Sequence, residues 1–145
     1  MRISLVRSGL QPDHLQDQGE HYFTYSLLPH GGDFVEGKTV QSAYQLNTPA
    51  KVVKGACKLG FDGMFTLDND AVEVDAVKRA EDQDALIIRF HEYTGSRQKV
   101  TLTPGFAYKS WTESDLRERP LGEECTGAIE LELHPYEVKT IMLSL

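Results

Sequence analysis

Cysteine is scarce: two residues in 145, Cys57 and Cys125. They stand far apart and match no metal-ligand or redox spacing. Two free thiols in a cytoplasmic protein is the simplest reading, with a Cys57–Cys125 disulfide as its rival. No apolar stretch is long enough to span a bilayer, and Met1-Arg-Ile-Ser-Leu-Val-Arg-Ser8 has too short a core for a signal peptide. Asn47-Thr-Pro49 is no glycosylation sequon, because its threonine comes one place early. An excess of positive charge is also missing. The net charge is −7, from 15 basic and 22 acidic residues, with lysine and arginine scattered, so a phosphate-backbone footprint is absent and nucleic acid is an unsuitable partner. With 40% hydrophobic and 26% charged residues, the chain is an ordinary soluble domain that can bury a core unaided.

What is present is β-pattern. Asp84-Ala-Leu-Ile-Ile-Arg-Phe-His-Glu-Tyr93 puts Leu86, Ile88 and Phe90 on one face and Ala85, Ile87, Arg89 and His91 on the other. Its length, β-branched content and flanking turns predict a strand near the middle of a sheet. Further strands are predicted at 51–54, 65–67, 72–76, 99–103, 107–111, 128–133 and 138–145. Ile129, Leu131 and Leu133 should point inward in one of them, and Ile141, Leu143 and Leu145 in another. Residues 112–120 fit a helical turn and an extended segment equally. Short strands separated by turns make an antiparallel, immunoglobulin-like β-sandwich over residues 51–145.

The first fifty residues differ. Strands are predicted at 2–8 and 21–28, the second with Phe23, Tyr25 and Leu27 on one face, followed by a short helix from Gly37 to Leu46. Two strands alone cannot cover their apolar face. Residues 1–50 therefore read as the end of a larger sheet plus a linker, and their unpaired edges as a place where a second copy could pair.

Chemistry-bearing constellations are few. The histidines at 14, 21, 30, 91 and 134 form no His-Glu-x-x-His or other metal spacing. Asp68-x-Asp70 resembles the start of a calcium loop, but Glu73 and Arg79 occupy the positions that need glycine and glutamate. It is a turn. Asp17, Glu20 and Asp33 are candidate glycosidic carboxylates, better read as solvated turns. Gly55, Gly60 and Gly63 form no phosphate loop. Tyr93, Tyr108 and Trp111 could stack on sugar rings if exposed in a row, though core packing is the commoner use of such residues.

Three ordered blocks carry a resemblance across nearly the whole chain. The first is Leu5-Val-Arg-Ser8 with Asp17-Gln-Gly-Glu-His-Tyr-Phe-Thr-Tyr25 and Pro29-His30. The second is Val77-Lys-Arg-Ala-Glu-Asp82 running into Ala85-Leu-Ile-Ile-Arg-Phe-His-Glu92 and Gly95. The third is Asp115-Leu-Arg-Glu-Arg-Pro-Leu121 and His134-Pro-Tyr-Glu-Val-Lys-Thr-Ile141. Together they are similar to the C-terminal end of glycoside hydrolase family 38 α-mannosidases of the cytosolic bacterial and fungal vacuolar type. The resemblance implies an N-terminal catalytic barrel, a helical bundle and large β-sandwiches, with residues 1–50 closing the large sandwich. It implies a retaining hydrolase acting on mannose-containing oligosaccharides, with zinc or another divalent metal. Its metal ligands and nucleophilic aspartate belong to the catalytic part, so no catalytic, cofactor or metal residue is assigned here. Arg7, His21 and His30 lie in the segment nearest the large sandwich, from which the resemblance would let them approach the active-site side. The expected role is a non-catalytic brace whose partner is the rest of its own polypeptide.

Overall fold

Seven antiparallel strands build two packed sheets in the computed structural model, which describes residues 2–56 and 63–145. In chain order the elements are α1 (Thr39–Asn47), β1 (Phe65–Leu67), β2 (Val72–Arg79), β3 (Ala85–Glu92), β4 (Gln98–Pro104), β5 (Ser110–Ser114), β6 (Ile129–Leu133) and β7 (Val138–Ser144). One sheet runs β1-β4-β6 and the other β2-β3-β7-β5. β3 is thus a central strand, flanked by β2 and β7.

The period-two pattern sets the core. Ile88, Phe90, Ile141 and Leu143 from the larger sheet meet Val100, Leu102, Ile129, Leu131 and Leu133 from the smaller one, and Trp111 closes the cluster. Register pairs Ile88 with Ile141 and Leu86 with Leu143 across β3 and β7, and Val100 with Leu131 across β4 and β6. Each fully buried Leu, Ile or Phe stabilises the fold by about 1.5–3 kcal/mol. Leu145 lies beyond β7 and is exposed, so it leaves the inward row that the alternation predicted.

The outer face of the larger sheet is also buried in its middle, where Ala85, Ile87 and Met142 form a second cluster. The segment between β5 and β6 explains this. It leaves β5 on one edge of the sheet and reaches β2 on the opposite edge, where Glu118 pairs with Lys78 at 2.8 Å. On the way Arg89 donates from Nη2 to the Leu116 carbonyl at 3.3 Å. Residues 115–119 are neither a helical turn nor a strand, but a strap across the sheet.

Other expectations need correction. Residues 2–8 and 21–28 carry no strand ladder. A pair of strands without a third to pair with is marginal, and here the ladder does not form. The alternation is still expressed, since Ile3, Leu5, Tyr25 and Leu27 line one apolar pocket of about 320 Å³. The pairing of a second copy onto strand edges at 2–8 and 21–28 therefore loses its premise. Residues 51–54 are not a strand either, and Val52 and Val53 stand exposed between two lysines. The strand expected at 107–111 begins instead at Ser110 and runs into the stretch left open. The helix starts two residues later than expected, after Lys38 in a left-handed conformation at φ 49°. The chain divides into two compact units after His30, and α1 belongs to the unit that holds the sandwich.

Candidate functional site

The residues most tightly built into the sandwich are carboxylates that hold loops. Glu92 ends β3 and is 1% exposed. Its carboxylate accepts the backbone N–H of Thr94 (2.6 Å), Gly95 (2.9 Å) and Tyr136 (2.9 Å), together with the Thr94 hydroxyl. Burial alone would raise its pKa, but these donors outweigh it and hold the carboxyl below its ordinary value. A charge buried this deeply is tolerable only when its lone pairs are filled. Glu92 thereby ties the turn after β3 to the turn before β7. That second turn is closed by Glu137, which accepts the His134 N–H at 2.7 Å.

Asp115 does the same for the strap. Its Oδ1 accepts the N–H groups of Arg117 (2.8 Å) and Arg119 (2.9 Å), and hydrogen bonds led by the Arg119 amide lower its pKa. Glu118, left-handed at φ 65°, crosses to Lys78 and to the Glu81 N–H at 2.8 Å.

A third polar group forms where α1 meets the larger sheet. A β-bulge between Val74 and Ala76 re-aims Asp75. Its carboxylate takes His91 Nδ1 at 2.9 Å and the Tyr44 hydroxyl at 3.2 Å. Gln41 donates to the Asp70 carbonyl at 3.1 Å and to the Tyr93 hydroxyl at 3.0 Å. Burial comes first in raising the pKa of Glu73, with Asp75 and Asp70 adding to it and His91 opposing.

The aromatic row is not assembled. Trp111 is 9% exposed and packed in the core, Tyr108 donates to the Gly127 carbonyl at 2.6 Å, and Tyr93 is packed against Phe34. A sugar platform made from these three rings is therefore overturned. Trp111 also borders a shallow depression of about 300 Å³ with Leu121 and Cys125, and its Nε1–H has no acceptor among the described residues.

Arg7, His14, His21, His30 and His134 are exposed. His21 is turned back on its own segment, Nε2 lying 2.7 Å from the Asp17 carbonyl. Asp33 accepts the N–H groups of Val35 and Glu36 at 2.8 and 2.9 Å, Glu20 accepts the Tyr22 hydroxyl, and both are exposed like Asp17. Asp68 holds the Thr101 N–H at 2.7 Å, and Asp70 pairs with Lys38. These two serve the turn before β2. Cys125 is free and exposed, while Cys57 and Gly60 lie outside the described residues. Among the described residues no group of three or more His, Cys, Asp or Glu could hold a metal ion. The described residues thus do not group into a fitting site for the divalent metal that the resemblance implies.

The residues of the Glu92 network, a latch between two turns, and of the strap fall in the second and third blocks, and that segment matches a known family. Residues 71–141 match the glycosyl hydrolases family 38 C-terminal beta sandwich domain. The sandwich belongs to this family. Whole-chain relatives agree with it. The chain is 30% identical to alpha-mannosidase 2C1 of Mus musculus over all of its own length and 15% of that protein. It is 28% identical to alpha-mannosidase G of Dictyostelium discoideum over 95% of its own length and 14% of that protein. An alpha-mannosidase of Saccharomyces cerevisiae is 25% identical over 99% of the chain and 16% of that protein. The chain thus spans about one-seventh of the length of the relatives it matches. The first block lies outside the family 38 sandwich model but inside these longer alignments. Neither Glu92 as a buried hub nor the strap was foreseen. The signal was there in Glu92, Gly95, Asp115 and His134–Glu137, which stood in the resemblance without a physical role.

Proposed function

We propose that this chain is the non-catalytic C-terminal part of an α-mannosidase that removes terminal α-linked mannose from oligosaccharides. The observation that carries this is the family 38 sandwich match, extended over the whole chain by relatives named alpha-mannosidase. The catalytic carboxylates and the zinc, or another divalent metal, belong to the part of the enzyme outside these residues. Within this chain, Glu92 and Asp115 are spent on holding loops. Residues 1–50 are the end of a large sandwich and a linker. Their apolar pocket, with Ile3, Leu5, Tyr25 and Leu27 all 48–66% exposed, is surface for the missing part of that sandwich to cover. We place the enzyme in the cytoplasm, where a free exposed Cys125 is at home; no described helix is long and apolar enough to cross a membrane.

The test is hydrolysis of an aryl α-mannoside. The complete polypeptide should cleave it and lose activity to a chelator, and the 145-residue chain should not cleave it at all. Turnover by the rigorously pure chain would overturn the non-catalytic role. A complete polypeptide inert toward α-mannosides would overturn the enzyme assignment.

A further inference from the structure

The strap between β5 and β6 is over-built for a loop that only covers Ile87 and Met142. Asp115 gathers two of its N–H groups, and Asp115 N–H donates to the Arg119 carbonyl at 2.9 Å. Ser114 bridges Pro120, and Glu118 is left-handed and anchored to Lys78. These ties hold outward a set of residues that the sandwich itself does not use. Leu116 and Leu121 are 65% and 67% exposed. Arg117 and Arg119 are exposed, and neither guanidinium is in an ion pair among the described residues. Leu121 is also the lip of the depression floored by Trp111. Two large exposed apolar side chains and two exposed arginines, which act on Asp115 but are in no close ion pair among the described residues, on a strap tied at both ends, in a chain of net charge −7, are complementary to an acidic surface with apolar pockets. Pre-organisation lowers the ordering cost of such a contact, arginine is among the residues enriched where interfaces bind tightly, and the exposed leucines beside it are apolar surface that a partner can cover.

We infer that residues 115–121 form a docking surface for an acidic, apolar-studded face of the α-mannosidase polypeptide outside this chain. This rests on the proposed function, because it takes the rest of that enzyme as the occupant. Arg117 and Arg119 supply ion pairs to carboxylates of that face. Leu116 and Leu121 supply the apolar contact that excludes water around them.

Zero-length coupling in the complete polypeptide tests it. The R117K and R119K variants keep the charge and supply a primary amine. A carbodiimide then joins that amine to a carboxylate within ion-pair distance as an amide, itself taking up the water as a urea. The expected result is a coupled peptide between position 117 or 119 and an Asp or Glu outside residues 1–145, at a yield independent of protein concentration. R117E/R119E should lower the unfolding temperature of the complete polypeptide and split the sandwich off as a separate transition. Coupling only within residues 1–145 overturns the docking surface. So does coupling between two polypeptides with a yield that rises with concentration, which would assign the surface to a second copy. Aryl α-mannoside hydrolysis by the same preparation separates the two readings. An active enzyme without the coupling sinks the docking surface alone, and an inert one sinks the reading beneath it.

Discussion

Tyr136 donates its backbone N–H to the Glu92 carboxylate across 2.9 Å, although 44 positions separate them in the chain. One buried charge thus fixes two turns at the same end of the sandwich. Replacing Glu92 by Ala leaves three backbone donors and the Thr94 hydroxyl without their acceptor in a partly buried site. The loss should be about 1–3 kcal/mol, the cost of leaving such donors unsatisfied. Glu92→Gln keeps the shape but turns an N–H₂ toward donors, and should recover only a minor part. Urea unfolding of the three proteins measures it. A loss for Glu92→Ala below about 1 kcal/mol, the net worth of one ordinary hydrogen bond, would show that the carboxylate is not the hub.

Gly95 sits in the same latch at φ +75°, and a Cβ there would lie 2.5 Å from the Tyr136 hydroxyl oxygen. Gly95→Ala therefore meets two separate penalties, left-handed backbone and a clash. The backbone part is about 1–2 kcal/mol, and the clash adds what it costs to turn the exposed Tyr136 ring aside. Truncating Tyr136 removes only the clash. The double variant Gly95→Ala, Tyr136→Ala should be less destabilised than the sum of the two singles, and a strictly additive pair would refute the contact.

The sandwich was legible because its strands alternate: Ile129, Leu131 and Leu133 are buried while Glu130 and Glu132 are not. Period two encodes a face, and a face needs only local sequence. What stayed hidden depends on distant partners. Nothing near Thr112 says that β5 continues to Ser114, because β7 supplies the ladder through Ile141 and Thr140. Residues 2–8 and 21–28 show the converse. They alternate too, less strictly than β6, but no ladder forms there, and the pattern leaves only a shared apolar pocket. The latch failed to show for the same reason, since Glu92 looks like a surface residue until Tyr136 is brought to it.

Carboxylate titration should give stability two opposing pH trends. Glu92, Asp115, Glu118 and Glu132 are held below their ordinary values. Each contributes stability that is complete above its unfolded pKa and is lost as pH falls through the depressed folded value. Glu73 has the opposite sign, its folded pKa being raised. Its ionised form opposes folding, and that cost grows as pH rises from the unfolded value of 4.5 through the higher folded one. Glu73→Gln should raise the melting temperature at pH 7 by a few degrees at most, and the gain should vanish below the unfolded pKa. A gain that persists unchanged in acid would show that burial of the charge is not its cause.

Trp111 is the chain's single tryptophan, so its fluorescence reports one site. Packed among core residues opposite Leu143, it should emit at short wavelength, resist quenching by iodide, and stay unchanged when mannose is added. Trp111→Ala opens a large cavity and should cost about 3–5 kcal/mol. Trp111→Phe should cost much less than that, because it keeps an aromatic ring and also removes a buried Nε1–H that lacks an acceptor among the described residues. If Phe proves as damaging as Ala, the indole N–H is being satisfied by a group that matters, and the orphaned donor is the wrong account of the site. A red-shifted, readily quenched emission that moves with mannose would instead return Trp111 to the surface and restore the sugar platform.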